Sequence, residues 1–104
     1  MAKGYIEAGI CGLKTTVTAE DKDGMMVTLK VDSECSAFKD LDKTLPEVNG
    51  MMVCFDKVGE GPIYEACRKT CKHAACPVPM GIIKTVEVAA GMALPKEVKV
   101  TLEK

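Results

Sequence analysis

Six cysteines and a single histidine are the residues of this chain best suited to chemistry. Thiolate sulfur and imidazole nitrogen are the usual donors for zinc and for iron–sulfur clusters, and a thiolate is also a nucleophile. The densest group is Cys71-Lys72-His73-Ala74-Ala75-Cys76-Pro77, which holds two of the thiols and the only imidazole. Cys76 directly precedes a proline-initiated helix, so the positive end of the helix macrodipole is expected to lower its pKa and favour the metal-binding thiolate. Cys11 stands in Gly9-Ile10-Cys11-Gly12, where glycines permit a tight turn and leave the thiol accessible at a strand end. Cys35 follows a strand through Asp32-Ser33-Glu34, on the kind of connection that displays site residues. The candidate ligands are therefore Cys11, Cys35, Cys71, His73 and Cys76.

The other two cysteines are assigned to packing. Cys54 lies within Met51-Met52-Val53-Cys54-Phe55, a core-type run, and Cys67 shares a helical face with Cys71 four residues later, which makes it a spare ligand at most. The adjacent pairs Met25-Met26 and Met51-Met52 point to different faces of any strand or helix, so they pack rather than form a copper site. The chain has no Cys-x-x-Cys, no phosphate-cradling glycine loop and no Gly-x-Ser-x-Gly.

Composition narrows the function classes. A length of 104 residues, 47% apolar and 28% charged, makes one small packed domain spanning residues 1–104. A net charge of -1 with only Tyr5, Phe38, Phe55 and Tyr64 as aromatics gives neither a basic surface nor a base-stacking platform, so nucleic acid is not an expected partner. No uncharged apolar run approaches the roughly 18 residues of a membrane span, and Lys3 and Glu7 interrupt the start where a signal peptide would be apolar. The expected setting is cytoplasmic, away from membranes, and its reducing conditions favour free thiols over a disulfide framework.

The elements that must position these residues follow from periodicity. Ile6, Ala8 and Ile10 alternate within residues 3–10, and residues 15–20 and 25–31 flank the turn Asp21-Lys22-Asp23-Gly24 as a hairpin. Thr44-Leu45-Pro46-Glu47 has the form of a capping box, followed by Val48, Met51, Met52 and Phe55 at helical spacing, which predicts a helix over residues 45–57. Pro62 opens a second helix ending near Cys71 to His73, and Pro77 and Pro79 open a third, whose stripe Ile82, Ile83, Val86, Ala89, Ala90 and Ala93 is closed by Gly91 and Pro95. Val98, Val100 and Leu102 alternate with Lys99, Thr101 and Glu103, which predicts a last strand at the sheet edge. The expected fold is α+β, an antiparallel sheet of three to four strands covered on one side by about three helices.

This order resembles the layout of the IscU/NifU N-terminal family of iron–sulfur scaffold proteins. The resemblance rests on Cys11-Gly12 before the strand at 15–20, on the strand at 27–31 leading to Cys35, and on His73 and Cys76 ahead of the long helix. It covers residues 8–93 in outline. It implies that Cys11, Cys35 and Cys76, with His73 or Cys71 as fourth donor, converge at one end of the sheet on a cluster or zinc. Leu13 stands where that family has an Asp after the Cys-Gly pair, and Ala74 and Ala75 separate a histidine and cysteine that are adjacent there. The segments Glu7 to Gly12 and Cys71 to Pro79 also look like those of small uncharacterised proteins from anaerobic prokaryotes.

The expected function is metal binding, with an iron–sulfur cluster preferred over zinc, for cluster storage, assembly or electron transfer. Expected partners are iron–sulfur assembly or redox proteins, and the near-zero charge with a broad apolar helix is compatible with a homodimer. The alternatives are a structural zinc protein and a thiol or persulfide-transfer enzyme in which His73 activates Cys76 or Cys71.

Overall fold

Three long strands form where β-branched and apolar residues alternate with polar ones: β1 (Ala2–Glu7), β2 (Lys14–Asp21) and β3 (Met26–Ser33). The computed structural model describes residues 1–104. β1 runs antiparallel to β2, with Ala2 opposite Ala19 and Glu7 opposite Lys14, and β2 runs antiparallel to β3, with Thr15 opposite Ser33 and Asp21 opposite Val27. Side-chain acceptors build the β2–β3 turn: Asp21 Oδ1 accepts from the Gly24 N–H at 2.8 Å, and Asp23 Oδ1 from the N–H groups of Met26 at 2.8 Å and Met25 at 3.0 Å. Those two donors, Met26 first, hold the Asp23 carboxyl below its ordinary pKa.

Residues 45–57 do not form the expected helix. After a single turn, α1 (Leu41–Thr44), they give a short strand β4 (Glu47–Asn49) and a six-residue helix α2 (Gly50–Phe55). Two local facts decide this. Pro46 biases the preceding Leu45 away from helical angles, and Leu45 indeed lies at φ -133°, ψ 75°. The outer edge of β3 then supplies partners: Met26 pairs with Asn49 and Thr28 with Glu47, and the Leu29 N–H bonds to the Pro46 carbonyl at 2.8 Å. The true N-cap is Asn49, whose Oδ1 accepts from the Met52 N–H at 3.0 Å. Only Gly50 and Val53 of α2 are buried, so Met51, Met52 and Phe55 face solvent.

Helices α3 (Pro62–Arg68) and α4 (Val78–Ala89) arise as the prolines foretell. α4 buries Val78, Ile82, Thr85 and Val86 against β1 and β2, and α2 and α3 pack on α4. The result is an α+β fold with strand order β1-β2-β3-β4, fully antiparallel, accompanied by four helices. One apolar cluster, including Val17, Val31, Phe38, Ile63, Ile82 and Val86, joins the sheet to the helices. No helix is long and apolar enough to cross a membrane.

The predicted strand over residues 98–102 is absent. Residues beyond Ala93 have no secondary structure, and Val98, Val100 and Leu102 are exposed. Alternation gives this segment two faces, but a strand also needs a hydrogen-bonding neighbour, and the segment has none within the monomer.

The seating of α4 depends on Gly4. A Cβ at Gly4 would collide with Oγ1 of Thr85, whose hydroxyl donates to the Gly81 carbonyl at 2.8 Å. Gly4→Ala is expected to cost about 1–3 kcal/mol, the usual penalty for overpacking. Adding Thr85→Ala should return part of that loss, a non-additivity readable by urea denaturation of the two single variants and the double variant.

Candidate functional site

The cysteines sort by the elements that carry them. β3 ends at Ser33, whose Oγ is 2.7 Å from Thr15 Oγ1 in a buried pair and accepts from the Cys35 N–H at 3.0 Å. That hydroxyl satisfies the backbone where the chain leaves the sheet and fixes Cys35 beyond it. Phe38, almost fully buried, anchors the following turn, and its N–H bonds to the Cys35 carbonyl at 3.1 Å.

Helix α3 contributes one thiol and, ending at Arg68 rather than near Cys71 to His73, leaves a second just beyond it. Cys67 is 2% exposed and belongs to the core, and one turn later the Cys71 N–H bonds to the Cys67 carbonyl at 2.8 Å. Cys71 is half-buried at the end of that turn. The connection to α4 then folds around the His73 carbonyl, which accepts from the Cys76 N–H at 3.1 Å and from the Cys71 thiol at 3.8 Å. One oxygen thus gathers Cys71 and Cys76 across a four-residue gap.

Electrostatics tie Cys35 into the same group. Burial pushes the Cys76 thiol up, and the neighbouring Cys71 and Cys35 push it further, against the opposing bond from the Val78 backbone. The expected lowering of Cys76 at the start of α4 is therefore overturned: the helix start does supply a stabilising N–H, but burial and adjacent thiols outweigh it. The Cys67 thiol is pushed up to about 12, first by burial and then by Cys71 and Cys76. Cys76 thus senses Cys71 and Cys35, and Cys67 senses Cys71 and Cys76, which puts these four thiols, from three separate segments, in one neighbourhood. Cys35, Cys71 and Cys76 pack against the core from its rim.

Two expected ligands stand apart from this cluster. Cys11 is exposed in the β1–β2 connection, between Gly9 at φ 98° and Gly12 at φ 71°, conformations that glycine adopts readily. That connection is at the end of the sheet where β3 runs out toward Cys35, because Glu7 pairs with Lys14 and Thr15 with Ser33. His73 is exposed, and its contacts to the cluster run through its carbonyl. No set of three or more Cys, His, Asp or Glu side chains is arranged as a ready-made metal site.

Cys67 is the core cysteine that the sequence reading expected, buried beside Cys71 and Cys76. Its spacing of four from Cys71 was the available signal, since one helical turn stacks such residues. Cys54 is separate, half-buried in a groove between α2, α3 and α4, with its thiol donating to the Gly50 carbonyl at 3.0 Å. Burial, then Glu87, raises its pKa. A surface hollow of about 590 Å³ lies on the polar face of the sheet beside Thr18, Thr28 and Lys30, and it contains no cysteine.

Residues 2–102 match a described family from end to end of the fold. The chain belongs to DUF6951, a family of unknown function. No curated protein and no solved structure matches it.

Burial and ionisation together set an order of thiol reactivity. With metal removed, exposed Cys11 is expected to react with iodoacetamide first and Cys67 only on unfolding, as read by peptide mass spectrometry. Because Cys67 stays protonated in the fold, the unfolded chain gains by ionising it once pH passes the ordinary thiol value of 9.0, so stability should fall from there toward 12. Cys67→Ala removes that component, and denaturation midpoints across the alkaline range measure it.

Proposed function

We propose that this protein holds an iron–sulfur cluster at the Cys35, Cys71 and Cys76 thiols, in the service of cluster storage, assembly or electron transfer. The observation that carries the reading is the meeting of three half-buried thiols, with Cys71 and Cys76 on the His73 carbonyl and Cys35 close enough to raise Cys76. An all-sulfur donor set selects soft metals and clusters over magnesium or calcium. Cys76, raised by burial and by its neighbours Cys71 and Cys35, is favoured as a thiolate by a bound cation, whose positive charge offsets the cost of ionising it.

Three thiolates leave one position to be filled. A closed fourth ligand marks a structural metal, whereas an open position suits exchange, so this count supports handing on a cluster more than sealing one. Cys11 is the candidate fourth donor within the chain, because its connection lies at the same end of the sheet and glycines flank it. Cys67 forms the apolar wall behind the site. A zinc ion on the same donors is the second reading, favoured by the separation of the three thiols into individual segments with no cluster-binding sequence run.

Free thiols fit a reducing, cytoplasmic setting, with iron–sulfur assembly or redox proteins as partners. The thiol-transfer alternative draws less support, because Cys76 is raised in pKa rather than activated and His73 meets the cluster through its backbone.

The test is metal and acid-labile sulfide analysis with an absorption spectrum on anaerobically purified protein, before and after reconstitution. Iron with sulfide and a brown chromophore is the expected result. Cys35→Ser, Cys71→Ser and Cys76→Ser should each remove most of the metal, Cys11→Ser should weaken retention, and Cys54→Ser should change nothing. Colourless zinc selects the second reading, and absence of metal after reconstitution overturns both.

A further inference from the structure

We infer that residues 98–104 are a β-strand in waiting, and that it completes the open β1 edge of a second copy of this chain. The two edges of the sheet differ. Along β3, Met26 to Thr28 pair with β4, the Leu29 N–H is taken by the Pro46 carbonyl, and the Val31 N–H by Asp42 Oδ2 at 3.0 Å. That edge is closed. β1 pairs only with β2, so its outer row of backbone groups is unpaired over six residues. An edge of this kind is a template for another strand.

The occupant is read from the chain itself. Val98, Val100 and Leu102 are 49%, 75% and 88% exposed, with polar residues between them, and the family match extends to residue 102. Laid antiparallel on β1 with Leu102 opposite Gly4, Val100 opposite Ile6 and Val98 opposite Ala8, the apolar residues fall on the face that carries α4. Ile6 and Ala8 are only half-buried there and have apolar surface left to cover. The same register sets Glu103 opposite Lys3 and Lys99 opposite Glu7, opposite charges on the solvent face.

In this antiparallel register, reach decides between the chain's own edge and that of another copy. α4 ends at Ala90, whose Cβ meets the site of Gly50 beside Val27 on β3, at the hairpin end of the sheet. Val27 is level with Asp21, two residues past the partner of Ala2, so Ala8 lies ~26 Å along the strands and ~10 Å across them. Eight extended residues from Ala90 to Val98 span only ~28 Å, with no slack to pass around α4. Exchange between two copies has no such limit and is self-complementary, each giving a tail and receiving one, which closes as a two-fold dimer.

Sedimentation of the full chain over a dilution series, with chelator present so that no shared metal links the copies, tests this. The expected result is a dimer, made monomeric by Val100→Asp with at least about a hundredfold weaker association, because that substitution puts a charge against apolar surface. Val100 is 75% exposed and lies outside the core of the monomer, so the variant's circular dichroism should be unchanged. Glu103→Lys should weaken association, and adding Lys3→Glu should restore it. A wild-type monomer, or a dimer indifferent to Val100→Asp, overturns the proposal, and failure of the charge-swapped pair to recover overturns the register on which it rests.

Discussion

Helix α4 lies close on the sheet because Gly4 has no Cβ under Thr85, and Gly81 none over Ile6. Nearly everything else hangs from that approach. With α4 in place, its far end reaches Gly50 and Val27, closing the core over β3 and β4, while its near end brings Cys76 to the mouth of the sheet where Cys35 emerges. A wider helix–sheet spacing would open voids along Val17, Ile82 and Val86 and would separate the thiols contributed by α3 and α4 from the one contributed by β3.

Placing thiols together at the rim of a core sets up an electrostatic conflict. Cys67 is buried outright and stays protonated, so it packs as a small apolar group. Cys76 is only half-buried, and its resistance to ionising comes partly from Cys71 and Cys35. A nearby cation would offset that cost for Cys76. The same conflict disfavours a lone activated nucleophile, which needs a positive neighbour rather than other acidic thiols.

The sheet solves its edge problem on one side only. Beyond β3, a proline carbonyl, an aspartate side chain and a three-residue strand account for the backbone donors. β1 has no equivalent cover, and the alternating tail has no partner. Two incomplete halves of a β-ladder in one chain, with no slack to join antiparallel, favour a solution between copies.

Alternation and turn chemistry were enough to read β1, β2 and β3 from the residues, and proline placement with an apolar stripe was enough for α3 and α4. Those signals are local, and local preference agrees with packing there. Candidate ligands Cys35, Cys71 and Cys76 were legible for the same reason, since each sits where a readable element begins or ends. Residues 45–57 misled because their helical spacing competed with an unfilled edge on β3, a partner distant in sequence and invisible to periodicity. Tertiary structure alone decided that Cys67 is buried beside Cys71 and Cys76, that the His73 side chain is exposed, and that Cys76 is raised rather than lowered. The physical reason is common to all three: desolvation and thiol–thiol repulsion depend on which segments meet at the rim of the core, and no spacing along the chain encodes that meeting.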